Sequence, residues 1–139
     1  MRKIQNEGSP AKRTAWRWFS KYIRLRDAIS TTGSPDYCRC ITCDEVKPSD
    51  QIEAGHMIPG RTNGIIFDET IVFGQCKTCN GPGGGEKQAY RIKMVDKHGQ
   101  DWYDLKVSAR KGAVQLTDFD YRQIADEYRK KYNKLKDSY

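Results

Sequence analysis

No apolar run in this sequence approaches the length needed to cross a membrane. The opening M-R-K-I-Q-N-E lacks the apolar stretch of a secretory leader. The expectation is a protein that stays in a reducing cytoplasm and makes no use of a membrane. Histidine is scarce, with only His56 and His98 in 139 residues. Apolar residues make up 37%, too little for a second full core, so one compact domain with short extensions is expected. There is no internal repeat and no long linker. Disorder is excluded in turn, because aromatic residues reach 11%.

What the chain has in excess is positive charge, +7 with a pI near 9.2. Residues 1–37 carry eight Lys and Arg against three acids, so most of the excess sits in the first quarter. Such clustering fits a polyanionic partner whose phosphates it would neutralise. Ser9-Pro10 reads as an N-cap and first helical residue. Ala11, Ala15, Trp18, Tyr22, Leu25 and Ile29 recur at steps of three and four, which predicts a helix over 10–29 with an apolar stripe. Arg13, Arg17, Lys21 and Arg24 fall mainly off that stripe, free to meet DNA. Gln51–Pro59 can hold a short strand, and 65–67 and 71–73 suit strands or buried segments. Gln88–Lys97 reads as a helix stopped near Gly99, and Thr117-Asp118 as the cap of a last helix bearing Phe119, Tyr121, Ile124, Ala125, Tyr128 and Tyr132.

Five cysteines in a reducing compartment point to metal more than to disulfides. Cys40-x-x-Cys43 and Cys76-x-x-Cys79 each supply two thiolates from a tight turn, the set a structural zinc ion wants. Between the pairs lie 32 residues, 44–75, more than a common zinc ribbon holds. Cys38 competes with Cys40 for one ligand place, but Cys40 gives the regular spacing. His98, in D-K-H-G-Q, reads as a surface residue. His56 lies in E-A-G-H-M-I-P between the two knuckles. A strand-borne His that takes a proton from water, a cation on the phosphate, and a polar ligand such as Asn80 would suffice to cut a phosphodiester. Asn80 directly follows the second knuckle, where the zinc could hold its amide oxygen toward Mg²⁺ or Mn²⁺. Arg61, after P-G, could clamp the scissile phosphate.

The order C-x-x-C, A-G-H-x-x-P, Q-C-x-x-C-N resembles the ββα-metal (HNH, or His-Me finger) nucleases. More closely, F-S-K-Y-I-R-L-R-D (Phe19–Asp27), C-I-T-C (Cys40–Cys43), E-A-G-H-M-I-P (Glu53–Pro59), Q-C-K-T-C-N (Gln75–Asn80) and Tyr90-Arg91 resemble the phage NinG/Rap recombination endonucleases. The zinc site followed at once by Asn is also similar to the endonuclease VII junction resolvases. The resemblance implies an α+β fold: a basic N-terminal helix over 1–37, a zinc-stapled ββα-metal core over 38–110, and a C-terminal helix over 111–139. It implies a DNA endonuclease acting on branched DNA such as Holliday junctions and D-loops. His56 would be the base, Asn80 a cation ligand, and Arg91 a phosphate contact; a two-fold dimer would place two sites on one junction. Two departures stand out. Gly55 replaces an acidic or His ligand, so Glu53, or another carboxylate such as Asp50, Asp68 or Glu69, or water completes the cation's shell. Ile71 replaces the middle Asn of HNH motifs, so the loop needs another brace. The rival reading is a non-catalytic zinc module that binds nucleic acid.

Overall fold

In the computed structural model, which describes residues 8–58, 65–81, 87–110 and 115–139, helix α1 spans Pro10–Thr32. The Ser9 hydroxyl accepts the Lys12 N–H and Pro10 opens the first turn, as their chemistry favours. The helix runs three residues past the expected end. The hydroxyls of Thr31 and Thr32 bond back to the carbonyls of Asp27 and Ala28 at 2.6 and 2.9 Å, and the left-handed Gly33 (φ 77°) closes the helix on Ile29 O.

The buried face of α1 is Ala15, Phe19, Ile23, Leu25 and Ala28, with Asp27 among them. This corrects the predicted stripe: only Ala15 and Leu25 of it are buried, while Trp18 and Tyr22 lie on an adjacent face against a second helix. That helix is α4, Asp118–Asp137, opened by a capping box between Thr117 and Asp120. Ser9 bonds Asp118, Phe19 meets Tyr128 edge-on at 4.9 Å, and Trp18 meets Tyr132 at 5.9 Å, so α1 and α4 run parallel. The last helix therefore packs. Its Phe119, expected on the apolar face, is 62% exposed.

Two antiparallel pairs lie against α1. Strands β1 (Tyr37–Arg39) and β2 (Val46–Pro48) flank the first knuckle. Strands β3 (Ile52–His56) and β4 (Val72–Cys76) pair from Ile52↔Cys76 to His56↔Val72. The apolar run 65–67 forms a buried turn, not a strand. Asp27 fastens α1 to β4: its carboxylate accepts the Gly74 N–H at 2.7 Å and two bonds from Arg26, whose guanidinium also reaches Glu69 O and Val72 O. Helix α2 (Lys87–His98) buries Tyr90 and Met94 under the hairpin and stops at Gly99, φ 95°. Helix α3 (Gln100–Arg110) follows at once and was not anticipated. One apolar cluster joins Phe19 and Ile23 of α1, Met57, Ile65, Ile71 and Val72 around the hairpin, Tyr90 and Met94 of α2 and Tyr128 of α4. Among the described residues no helix is long and apolar enough to cross a membrane.

Candidate metal centre and groove

The four sulfurs of Cys40, Cys43, Cys76 and Cys79 all lie within 4.8 Å of one another, with Cys43 and Cys76 at 4.0 Å. Tetrahedral zinc at a Zn–S distance of about 2.3 Å requires sulfurs about 3.8 Å apart, so these residues fit the ion. Each knuckle is shaped by its own backbone. Asp44 N–H returns to Cys40 O, with Asp44 itself at φ 66°, and Asn80 N–H returns to Cys76 O. Burial opposes ionisation of Cys40, but N–H groups of Cys43, Cys76 and Thr42 outweigh it and hold the thiol below its ordinary value. At Cys79, burial and the neighbouring sulfurs hold the thiol far above its ordinary value.

Cys38 is separate. It is buried beside Gly74, outside the four-sulfur set, and burial together with the Asp27 carboxylate pushes its thiol up to about 11. The spacing argument for Cys40 over Cys38 thus agrees with the geometry.

The knuckles hold Asn80 beside Glu53: Asn80 Nδ2 donates to Glu53 Oε1 at 2.9 Å. The other carboxylates named from the sequence are committed elsewhere or stand apart. Asp68 caps Thr70 and pairs with Lys106 at 2.9 Å, and Glu69 pairs with Tyr128 and Lys131. Both carboxyls lie below their ordinary value, because these hydrogen bonds and cations outweigh the effect of burial. Asp50 is exposed in a single 3₁₀ turn. Glu53, Asn80, Ile52 and Ala54 line one wall of a groove of about 310 Å³, and Trp16, Ser20 and Arg24 of α1 line the other. A carboxylate beside a carboxamide is a donor set that suits a hard divalent cation.

His56 ends β3, three residues along from Glu53 and so on the opposite face of the strand. It is 8% exposed, its ring stacks on Trp16 at 5.1 Å between centroids, and Nε2 lies 3.2 Å from Ile66 O. Trp16 therefore touches both the imidazole and the groove. The loop that needs another brace in place of the middle Asn is tied by Met57 N–H and Tyr90 Oη, both onto Ile71 O, and by Asp68. Of the basic residues, Arg13 and Arg17 are exposed. Lys21 sits over the Trp18 and Tyr132 rings at 4.9 and 5.4 Å, and Arg24 lines the groove. Arg91 is half-buried with its guanidinium 5.9 Å from the Tyr103 ring. Arg61, Pro59 and the glycine run 83–85 lie outside the described residues. His98 is exposed and stacks on Trp102, as a surface residue would.

Two residues escaped the sequence reading. Trp16 falls off the predicted stripe, although its spacing from Ser20 and Arg24, four and eight residues on, places all three on one helical face. Gln75 stands in the Q-C-x-x-C-N motif without a role, although strand alternation puts it on the Glu53 side of the hairpin.

No solved structure matches the chain. Protein ninG of Escherichia phage 933W is 29% identical over 103 residues, which cover 71% of this chain and 49% of that protein. Protein ninG of Enterobacteria phage VT2-Sa gives the same figures. The chain spans about half the length of the curated relatives it matches. The model of the family described as Bacteriophage Lambda NinG protein matches residues 4–138, nearly all of the sequence. The chain belongs to the bacteriophage lambda NinG family.

Proposed function

We infer that the chain is a divalent-cation-dependent DNA endonuclease that hydrolyses phosphodiester bonds in branched DNA, including recombination intermediates. The observation that carries this reading is the hydrogen bond of His56. A carbonyl oxygen only accepts, so the contact of Nε2 with Ile66 O puts the proton on Nε2. When neutral, a ring in this tautomer has its lone pair on Nδ1, the form a general base needs in order to take a proton from water. The stack on Trp16 fixes the ring beside the wall of the groove. Glu53 and Asn80 would hold Mg²⁺ or Mn²⁺, which would offset charge developing on the scissile phosphate. Arg24 on the facing wall, with Arg13, Arg17 and Lys21 along the same helix, would meet the DNA backbone. Arg61 and Arg91 are assigned further phosphate contacts, and a two-fold dimer would serve a four-way junction.

A non-catalytic zinc module that binds nucleic acid is favoured by one observation, the burial of His56. Cleavage of labelled linear duplex, flap, fork and four-way DNA under Mg²⁺ and Mn²⁺ separates the two readings. The nuclease cuts branched substrates in preference to linear duplex. His56→Ala keeps zinc and DNA binding but loses at least about a hundredfold in rate, the lower range for removing a general base. A wild type that binds these DNAs and cuts none, or a His56→Ala variant as fast as wild type, refutes the assignment.

A further inference from the structure

Gly55 stands where the ββα-metal pattern has an acidic or His ligand, and Gln75 fills the space that ligand would occupy. A Cβ built on Gly55 would lie 2.1 Å from Gln75 Oε1 and 3.0 Å from its Cβ, so no side chain fits at residue 55 while Gln75 keeps its place. Gln75 is fully buried. Its Nε2 donates to Thr42 Oγ1 at 2.9 Å and to Cys79 O at 3.4 Å. Because the Cys79 carbonyl cannot donate, the nitrogen end is fixed toward the knuckles and the oxygen end toward Gly55. Among the described residues that oxygen has no hydrogen-bond donor. A buried acceptor left without a partner is rare and costly, and Oε1 has no bulk water to turn to.

The neighbours of Gln75 in the fold lead to the inferred cation site. Gln75 faces Glu53 directly across the β3–β4 pair, so both side chains leave the same face. Cys79, whose carbonyl the amide touches, precedes Asn80, which bonds Glu53. We propose that Gln75 Oε1 is the third protein ligand, with Glu53 and Asn80, of the groove's divalent cation, in place of the side chain that residue 55 lacks. The proposal rests on the nuclease reading for the existence of that cation. A neutral amide oxygen beside a carboxylate and a second carboxamide is a hard donor set, suited to Mg²⁺ and Mn²⁺ and not to a second zinc.

The test is Mn²⁺ binding to the zinc-loaded full chain without DNA, with free Mn²⁺ measured by electron paramagnetic resonance and zinc content measured in parallel. Wild type binds one Mn²⁺. Gln75→Ala and Glu53→Gln each weaken binding by about tenfold or more, the scale of losing a partner at a metal site, while zinc is retained. Gln75→Ala also frees the space over Gly55. On that background Gly55→Asp restores Mn²⁺ affinity, whereas Gly55→Asp alone, with Gln75 in the way, does not. Unchanged affinity in Gln75→Ala with zinc in place overturns the proposal, and so does a wild type that binds no Mn²⁺. If Gln75→Ala loses zinc, Gln75→Glu decides: the same length with a charged oxygen tightens Mn²⁺ binding, and equal or weaker binding overturns the proposal. Parallel nicking assays keep the two ideas apart. Cutting with Mn²⁺ affinity indifferent to residue 75 removes only Gln75, whereas Mn²⁺ held through Gln75 by a chain that never cuts removes only the nuclease.

Discussion

Asp27→Asn removes one buried negative charge and leaves its partners in place. The carboxylate, 8% exposed, accepts the Gly74 N–H at 2.7 Å and two bonds from the Arg26 guanidinium at 2.7 and 3.2 Å. Asn has one acceptor oxygen: in the place of Oδ2 it keeps the Gly74 bond and the 3.2 Å bond from Arg26 Nη2, while its NH₂ then faces the Arg26 Nε donor that Oδ1 accepted at 2.7 Å. Hydrogen bonds to charged groups contribute about 1.5–3 kcal/mol each. Arg26 is 21% exposed and keeps its bonds to Glu69 O and Val72 O, so water and these carbonyls recover part of the loss. The expected cost is therefore about 2–4 kcal/mol, set by one full charge-assisted bond plus part of a second. Urea unfolding of the zinc-loaded chain measures it as a lower midpoint at unchanged slope. A change below about 0.5 kcal/mol, the scatter of ordinary surface substitutions, would show that Asp27 does not fasten α1 to β4.

Four further outcomes follow from the same geometry. Glu69 has its folded-state pKa depressed by Tyr128 and Lys131, so it contributes stability that is present above the unfolded value and lost as pH falls through the folded one. Wild type therefore loses stability more steeply than Glu69→Gln as pH drops from about 5 downward, and parallel slopes in pH-dependent urea titrations would contradict this. Phe19→Ala, at the junction of α1, α4 and the 65–67 turn, costs about 3–5 kcal/mol in the same assay, since Phe19 is wholly buried against Tyr128 and Phe67. Stripping zinc with a strong chelator, or Cys76→Ser, collapses the far-ultraviolet circular dichroism signal of the core; retention of the native spectrum in the metal-free chain would refute a structural role for the ion. If Arg24 meets the DNA backbone, Arg24→Ala lowers the salt slope of DNA binding by about one and weakens all sequences alike; an unchanged slope would take it off the interface.

What the sequence revealed was what depends on neighbours along the chain. Ser9-Pro10, Gly99 and the Thr117 box act within one helical turn, and the element ends they mark agree with the structure to within a residue. The four ligand cysteines were legible because each knuckle is a local turn, and the choice of Cys40 over Cys38 needed only spacing. The buried face of α1 was not legible. This helix packs toward the hairpin and the 65–67 turn through Phe19 and Ile23 and on α4 through Trp18, Tyr22 and Phe19 again, and a helix apolar on two adjacent faces gives a periodicity that names neither. Helix α3 was hidden by a sequence that leaves Leu105 68% exposed while half-burying Trp102, Tyr103 and Val107.

The polar residues that set the site share a different property. Asp27 acts on Gly74, 47 residues away, and Gln75 acts on Thr42, 33 residues back. No window of sequence contains both partners, and each residue alone has an ordinary local reading, a helix acid and a strand glutamine. The two cysteine knuckles remove that distance. By holding Cys40 and Cys43 against Cys76 and Cys79 they set Thr42 beside Gln75 and Asn80 beside Glu53, so that a motif of separated letters becomes one constellation. The same reasoning accounts for Gly55. Read along the chain it is a departure from the motif that the sequence resembles, and read across the hairpin it is the gap that a buried glutamine requires.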